Sequence, residues 1–241
     1  HLNPYTHKPL DFPTDDWLRF MRWTHRYSPY GPAWLLYSLV PTLLGFKKFI
    51  ITFYMFKLFI GVFHIINTFI IYKIVKNNNE KYAIFASLLY SLNPLFLIEG
   101  VVNAHNDVVL LFTILSSIYF FQNKKILNAY LSILIGLLIK YITVFSTPII
   151  FIAEKFIFKK IDRTTIFIIF NLATFSAFTY VYSSFGVNAP FVNSGSTQVQ
   201  FQPWYLFWTL PIAIVLFRRS MNIAIILLSI GALLRYIPFL Y

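Results

Sequence analysis

Residues 82–122, YAIFASLLYSLNPLFLIEGVVNAHNDVVLLFTILSSIYFFQ, set a polar knot, E-G-V-V-N-A-H-N-D from Glu99 to Asp107, between two apolar stretches. Ionisable groups are costly in hydrocarbon, so a knot in such company lines a watery cavity, a relay or a catalytic pocket. The rest of the chain has the same character. Of 241 residues, 58% are hydrophobic, 20% aromatic and only 12% charged, with a mean hydropathy of +0.68. That is far more apolar than a soluble domain of this length and predicts a multispanning membrane protein. The chain has no cysteine, which excludes disulfides and thiolate metal sites.

Outward from the knot, apolar runs of spanning or near-spanning length cover 49 to 75, 82 to 98, 108 to 122, 126 to 139, 142 to 157, 165 to 184, 204 to 217 and 221 to 237. The expected fold is all-α: a polytopic transmembrane helical bundle of about eight spans. Residues 1–48 form an external loop with an interfacial helix, and residues 49–241 the transmembrane domain. A net charge of +12 would point to nucleic acid in a soluble protein, but here the cations follow the connections. One alternating set of connections carries eleven of them: Lys73, Lys76, Lys81, Lys124, Lys125, Lys155, Lys159, Lys160, Arg163, Arg218 and Arg219. The opposite set, made of the 99 to 107 knot, the junction at Lys140, the loop 185 to 203 and the C-terminal end near Arg235, has just those two basic residues. The first set is therefore expected in the cytoplasm and the knot on the external face.

The first thirty residues are polar and rich in Pro, Trp and Tyr, as suits an external loop. Pro32 to Phe46 is apolar but only about fifteen residues long, too short at ~1.5 Å per residue to cross ~30 Å of hydrocarbon. It is expected to lie in the outer interface. Segments 82 to 98, 108 to 122 and 126 to 139 reach only about 25, 22 and 21 Å as helices, which would recess their external ends. The knot and Lys140 would then sit below the outer surface, in a pocket where protein and water satisfy irregular backbone.

Within the knot, Asn106 or Asp107 could serve simply as a helix N-cap. Capping does not cover Glu99, at a helix C-terminus where the macrodipole disfavours a carboxylate, or His105. A pocketed carboxylate could act as a general base, orient a sugar hydroxyl or hold a divalent ion. Lys140 interrupts I-G-L-L-I-K-Y-I-T-V and Arg235 interrupts G-A-L-L-R-Y-I-P. Each could snorkel to the interface, yet two cations at the depth of a carboxylate pocket suit a phosphate or diphosphate at the lipid boundary. Gln202, Trp204, Tyr205 and Trp208 at the end of the 185 to 203 loop fit an aromatic belt, and equally a sugar or isoprenoid contact. Asp15 and Asp16 could form a paired acidic site, although adjacent exposed acids are commonly just solvated. Lys57 and His64, seven residues apart, share one helical face. No P-loop, Rossmann glycine pattern or metal-ligand spacing is present.

Five blocks taken in order carry a resemblance: N-P-Y at 3–5, R-Y-S-P-Y-G-P-A-W at 26–34, N-P-L-F-L-I-E-G-V-V-N-A-H-N-D at 93–107, I-K-Y at 139–141 and Q-P-W-Y-L-F-W at 202–208. Together they resemble the polyprenol-phosphate-mannose-dependent mannosyltransferases of the GT-C superfamily, with the glycosylphosphatidylinositol mannosyltransferase I a more distant likeness. The resemblance covers nearly the whole chain and is strongest at the H-N-D and S-P-Y-G-P blocks. It implies a multi-pass enzyme of the cell membrane with its site on the external face. The donor would be a polyprenyl-phosphate hexose, expected to be mannose, and the acceptor a lipid or glycan, with inversion at the anomeric carbon and no nucleic-acid partner.

Under that resemblance Asp107, His105 and Glu99 are catalytic candidates. Asn106, Lys140, Arg235, Gln202, Trp204, Tyr205, Arg26 and Tyr30 are substrate-binding candidates. No cofactor is assigned, with a divalent cation left open. The resemblance also implies a catalytic Asp in an external loop upstream of N-P-Y. The chain is therefore expected to be N-terminally truncated, with the principal base before His1, and inactive alone unless Asp15 or Asp16 substitutes. From other classes, a lipid or sugar transporter or flippase, or a noncatalytic fragment, are the rival expectations, since polar groups at broken helices also mark transport sites.

Overall fold

The computed structural model describes residues 3–21, 24–155, 162–185, 202–216, 219–234 and 236. Among them every regular element is helical. The α-helices are α1 (Pro32–Leu44), α2 (Phe49–Asn78), α3 (Glu80–Ser91), α4 (Asp107–Gln122), α5 (Ile126–Leu137), α6 (Ser146–Lys155), α7 (Arg163–Phe185), α8 (Leu210–Leu216) and α9 (Arg219–Leu234). Each apolar run expected from the sequence contains a helix, and α1 occupies the segment expected to lie in the interface. Only α2, 30 residues long, is by itself long and apolar enough among the described residues to cross a bilayer. The other apolar helices are shorter.

Two of the expected runs are broken. The 82 to 98 run stops at Ser91 and resumes as a π-helical turn, Phe96–Val102, bent by 59° from α3. Asn93-Pro94 causes the break: proline has no N–H to continue the ladder, and Asn93 Oδ1 instead accepts from the Leu95 N–H at 3.0 Å. The 204 to 217 run likewise begins as a 3-10 turn, Pro203–Trp208, before α8. In both places the break delivers side chains to the knot.

The helices run back and forth between two ends. Asn67 Nδ2 of α2 donates to the Val108 carbonyl at 2.9 Å and Gln122 Nε2 to the Ile74 carbonyl at 3.1 Å, so α2 and α4 are parallel, and α3 runs back along α2. Phe121 packs on Phe167 at one end (4.9 Å between centroids) and Phe178 on Trp208 at the other (5.9 Å). Lys73, at 5.9 Å from the Tyr119 ring, marks the basic end of the bundle together with Lys76 and Lys124. Glu99, His105, Asp107 and Lys140 lie at the opposite end.

Burial follows the sequence periodicity. On α2, Ile60, His64, Asn67, Ile71 and Ile74 recur every three or four residues and are buried, while Ile50, Tyr54, Leu58, Val62, Ile65 and Phe69 form an exposed apolar stripe. α4 is apolar all round and buried along most of its length, as the central helix of the bundle. Its first residue is Asp107.

Candidate active site

The α4–α5 hairpin builds the centre of the site. α4 runs away from the knot, Lys124 turns the chain with φ 60, and α5 returns, so that Lys140, just beyond α5, meets Asp107 at the start of α4. Lys140 Nζ donates to both carboxylate oxygens of Asp107, at 2.7 and 2.8 Å. The Trp208 indole N–H donates to Asp107 Oδ1 at 2.8 Å. Asp107 is 0% exposed, so three donor contacts take the place of water around a buried carboxylate. The N-cap reading is not realised by Asp107, whose carboxylate is spent on these partners, and Asn106 makes no side-chain cap bond.

The π-helical turn brings in the second acid. Glu99, also 0% exposed, accepts from Asn103 Nδ2 at 3.2 Å and from the Tyr236 hydroxyl by a short bond. A wide turn of this type recurs at functional sites because it re-aims side chains that a regular helix would spread apart. Gly100 in the same turn is pressed between elements, since a Cβ there would lie 3.0 Å from Val108 and 3.1 Å from the Phe207 ring.

His105 stands between the two acids. Its Nδ1 is 3.7 Å from Asp107 Oδ2 and its Nε2 3.8 Å from Glu99 Oε2, while its ring stacks on Trp204 at 4.5 Å. These separations exceed a hydrogen bond but leave a strong electrostatic field across the ring. With a side chain 25% exposed, His105 is more open than either acid, and Lys140 at 19% is next. The row Lys140, Asp107, His105, Glu99 and Tyr236 thus alternates donors and acids, opening to solvent at the imidazole and the ammonium.

The S-P-Y-G-P block closes one side. The Gly31 N–H donates to the Ile139 carbonyl at 3.0 Å and the Ala33 N–H to the Leu138 carbonyl at 2.9 Å, next to Lys140. Glycine is required at 31, where a Cβ would sit 2.2 Å from the Leu138 oxygen. The docked loop places the Tyr30 ring 5.7 Å from Lys140 Nζ, and Trp208 lies at 5.7 Å as well. Tyr5 of the N-P-Y block donates to the Tyr30 carbonyl at 2.9 Å. Partial desolvation, with Tyr141 nearby, raises the Tyr5 phenol above its ordinary value.

Of the residues expected at the site, Glu99, His105, Asp107, Lys140, Tyr30, Trp204 and Tyr205 are gathered here, with Tyr205 stacked on Trp208 at 5.0 Å. Gln202 is buried at the head of the 3-10 turn. Asn106 is buried beside the pair, and its Nδ2 has no hydrogen-bond partner among the described residues. Arg26 is half-buried in the first loop. Asp15 and Asp16 lie apart: both are exposed, Asp15 caps the Trp17 N–H at 2.9 Å, and Trp17 packs on Phe49 of α2. Lys57 donates to the Val102 carbonyl through a short bond, and His64 Nε2 meets the Ser91 carbonyl at 3.1 Å. Arg235 lies outside the described residues.

Three contacts escaped the sequence reading. Trp208 was visible only as one more aromatic, although Trp204 and Trp208 are spaced i,i+4 in Q-P-W-Y-L-F-W. Tyr236 is the neighbour of the cation that drew attention, and Asn103 sits inside the knot. No three His, Cys, Asp or Glu side chains among the described residues converge as a metal site. The imidazole separates the two carboxylates.

An apolar cavity of about 530 Å³ opens beside the same 3-10 turn, lined by Leu172, Tyr180, Leu206, Leu210, Ala213 and Leu228 among others.

A family model described as alpha-(1->6)-mannopyranosyltransferase, N-terminal domain (the MptA_B family), matches residues 1–155. That is more than half of the chain, and the chain belongs to this mannosyltransferase family. No curated protein and no solved structure matches it.

Proposed function

From its membership of that mannosyltransferase family, we propose that the chain transfers mannose from a polyprenyl-phosphate donor to a lipid or glycan hydroxyl at the external face of the cell membrane. The observation that carries this reading is the meeting of Lys140, Asp107, His105 and Glu99 at the end of the bundle remote from Lys73, Lys76 and Lys124. Counted over the connections that follow α2, the positive-inside rule puts the end with Lys73, Lys76 and Lys124 in the cytoplasm and the pocket outside. The apolar stripe of α2 faces acyl chains, and the shorter apolar helices complete a bundle of about eight spans.

The reaction is a single displacement with inversion. An acceptor oxygen attacks the anomeric carbon, the bond from that carbon to the phosphate oxygen breaks, and the polyprenyl phosphate leaves with the electron pair. An α-(1→6) product then requires a β-linked donor. Lys140 has three N–H bonds and gives two to Asp107, keeping one for the phosphate, whose charge grows as the bond breaks. Of the three catalytic candidates, His105 is the one open to substrate, and in this reading it takes the acceptor proton in place of the base that the resemblance implies before His1, while Asp107 and Glu99 orient it. Trp204 and Tyr205 offer faces to the sugar, Asn106 Nδ2 and Gln202 offer polar contacts, and the cavity beside Leu206 and Leu210 accepts the isoprenoid.

Reconstituted protein offered either radiolabelled polyprenyl-phosphate mannose or a nucleotide-linked mannose, with a mannosylated lipid acceptor, tests this reading. Transfer from the lipid donor alone supports it. Transfer from the nucleotide sugar alone overturns it.

A further inference from the structure

Trp208 occupies a position that the proposed chemistry does not by itself call for. Its indole N–H points at the buried Oδ1 of Asp107, at 2.8 Å, where Lys140 also donates, at 2.7 Å. The same ring lies 5.7 Å from the Lys140 ammonium, and the Tyr30 ring is at the same distance. Trp208 also packs on two rings, Tyr205 stacked at 5.0 Å and Phe178 at 5.9 Å. Trp208 therefore holds both members of the ion pair, the anion through its N–H and the cation through its π face. An indole packed for bulk alone has no need to aim its single polar atom at a buried carboxylate.

This matters because Asp107 could otherwise draw Lys140 in fully. A lone carboxylate in a dry site holds an ammonium tightly and competes with any incoming phosphate. A second donor on Oδ1 shares the negative charge, and two nearby rings hold the ammonium in place. Building on the proposed transferase reading, we infer that Trp208 is a positioning residue, holding the Asp107–Lys140 pair in the geometry in which Lys140 still has one N–H to give to the departing phosphate.

Two measurements separate this inference from the reaction it rests on. The first needs no substrate. In protein labelled with ¹⁵N at the tryptophan indoles and held in detergent micelles, the Trp208 indole N–H resonance is identified by its loss in Trp208→Phe. In Asp107→Asn that resonance should move upfield, as a carboxylate acceptor is exchanged for a weaker amide. An unmoved resonance overturns the positioning role whatever the enzyme does. The second uses radiolabelled polyprenyl-phosphate mannose. Trp208→Phe keeps a ring and deletes the N–H, and it should lower kcat about ten- to a hundredfold, the worth of one charge-assisted hydrogen bond, with KM for the donor changed less than about threefold. The double variant Trp208→Phe/Asp107→Asn should be no slower than Asp107→Asn alone. Wild-type kcat in Trp208→Phe, or losses that multiply in the double variant, contradict the inference. Absence of transfer by the wild-type protein defeats the proposed reaction and leaves the resonance test to decide the role of Trp208.

Discussion

Lys140 Nζ touches both carboxylate oxygens of Asp107, at 2.7 and 2.8 Å, across 33 residues of sequence and at the open end of the α4–α5 hairpin, remote from its turn at Lys124. A fully buried carboxylate with this partner is a structural commitment as well as a chemical one. Removing the cation leaves an uncompensated charge in a dry place. Lys140→Met should therefore cost about 3–5 kcal/mol of stability, and Lys140→Met/Asp107→Asn should recover a large part of that loss. Thermal unfolding of both variants in detergent measures it, and a double variant as unstable as the single one would rule out the charge argument.

His105 differs from its neighbours in being open. Its ring packs on Trp204 and makes no side-chain hydrogen bond among the described residues, so His105→Ala should shift stability by no more than about 0.5–1 kcal/mol while lowering kcat by about 10²- to 10⁴-fold. A variant that keeps wild-type turnover would remove the imidazole from the chemistry.

Gly31 is the hinge on which the S-P-Y-G-P block meets the helices. A methyl group there would collide with the Leu138 carbonyl, at 2.2 Å, and break the Gly31 and Ala33 backbone bonds. Gly31→Ala should undock the first loop, lift Tyr30 from Lys140 and expose the loop to trypsin. Limited proteolysis followed by mass spectrometry reads this directly. A cleavage pattern identical to the wild-type one would show that the loop tolerates the methyl.

The chain has no cysteine, which makes its topology easy to test. Single cysteines placed by Lys8→Cys and Lys124→Cys should react oppositely with an impermeant maleimide on intact cells: the first labels at once, the second only after permeabilisation. Equal labelling of both from outside would refute the positive-inside reading.

Local signals were legible in the sequence, and distant ones were not. The apolar runs fixed where helices form, since α1, α2, α4, α5 and α7 begin within a few residues of the expected bounds. The knot and the interruption at Lys140 were readable because a charge in an apolar run needs a partner, and the partner proved to be Asp107. The break at Asn93-Pro94 was readable in principle, as a dipeptide that ends helices, but the unbroken hydropathy on either side concealed it. Trp208 and Tyr236 were hidden for a different reason. An aromatic residue at the end of an apolar run looks the same whether its polar atom meets water, a headgroup or a buried acid. Only the packing of the 3-10 turn against α4, and of the end of α9 against the π-helical turn, distinguishes these cases.

The central claim is covalent mannosyl transfer at the Asp107 pocket. Its most direct test is to incubate membranes containing the protein with radiolabelled polyprenyl-phosphate mannose and an acceptor lipid, beside the same membranes carrying His105→Ala. The expected result is label in an α-(1→6)-linked product, formed at least about a hundredfold more slowly with His105→Ala. Label that crosses the bilayer still attached to its polyprenyl phosphate, with no new glycosidic bond, would contradict it and identify a transporter instead.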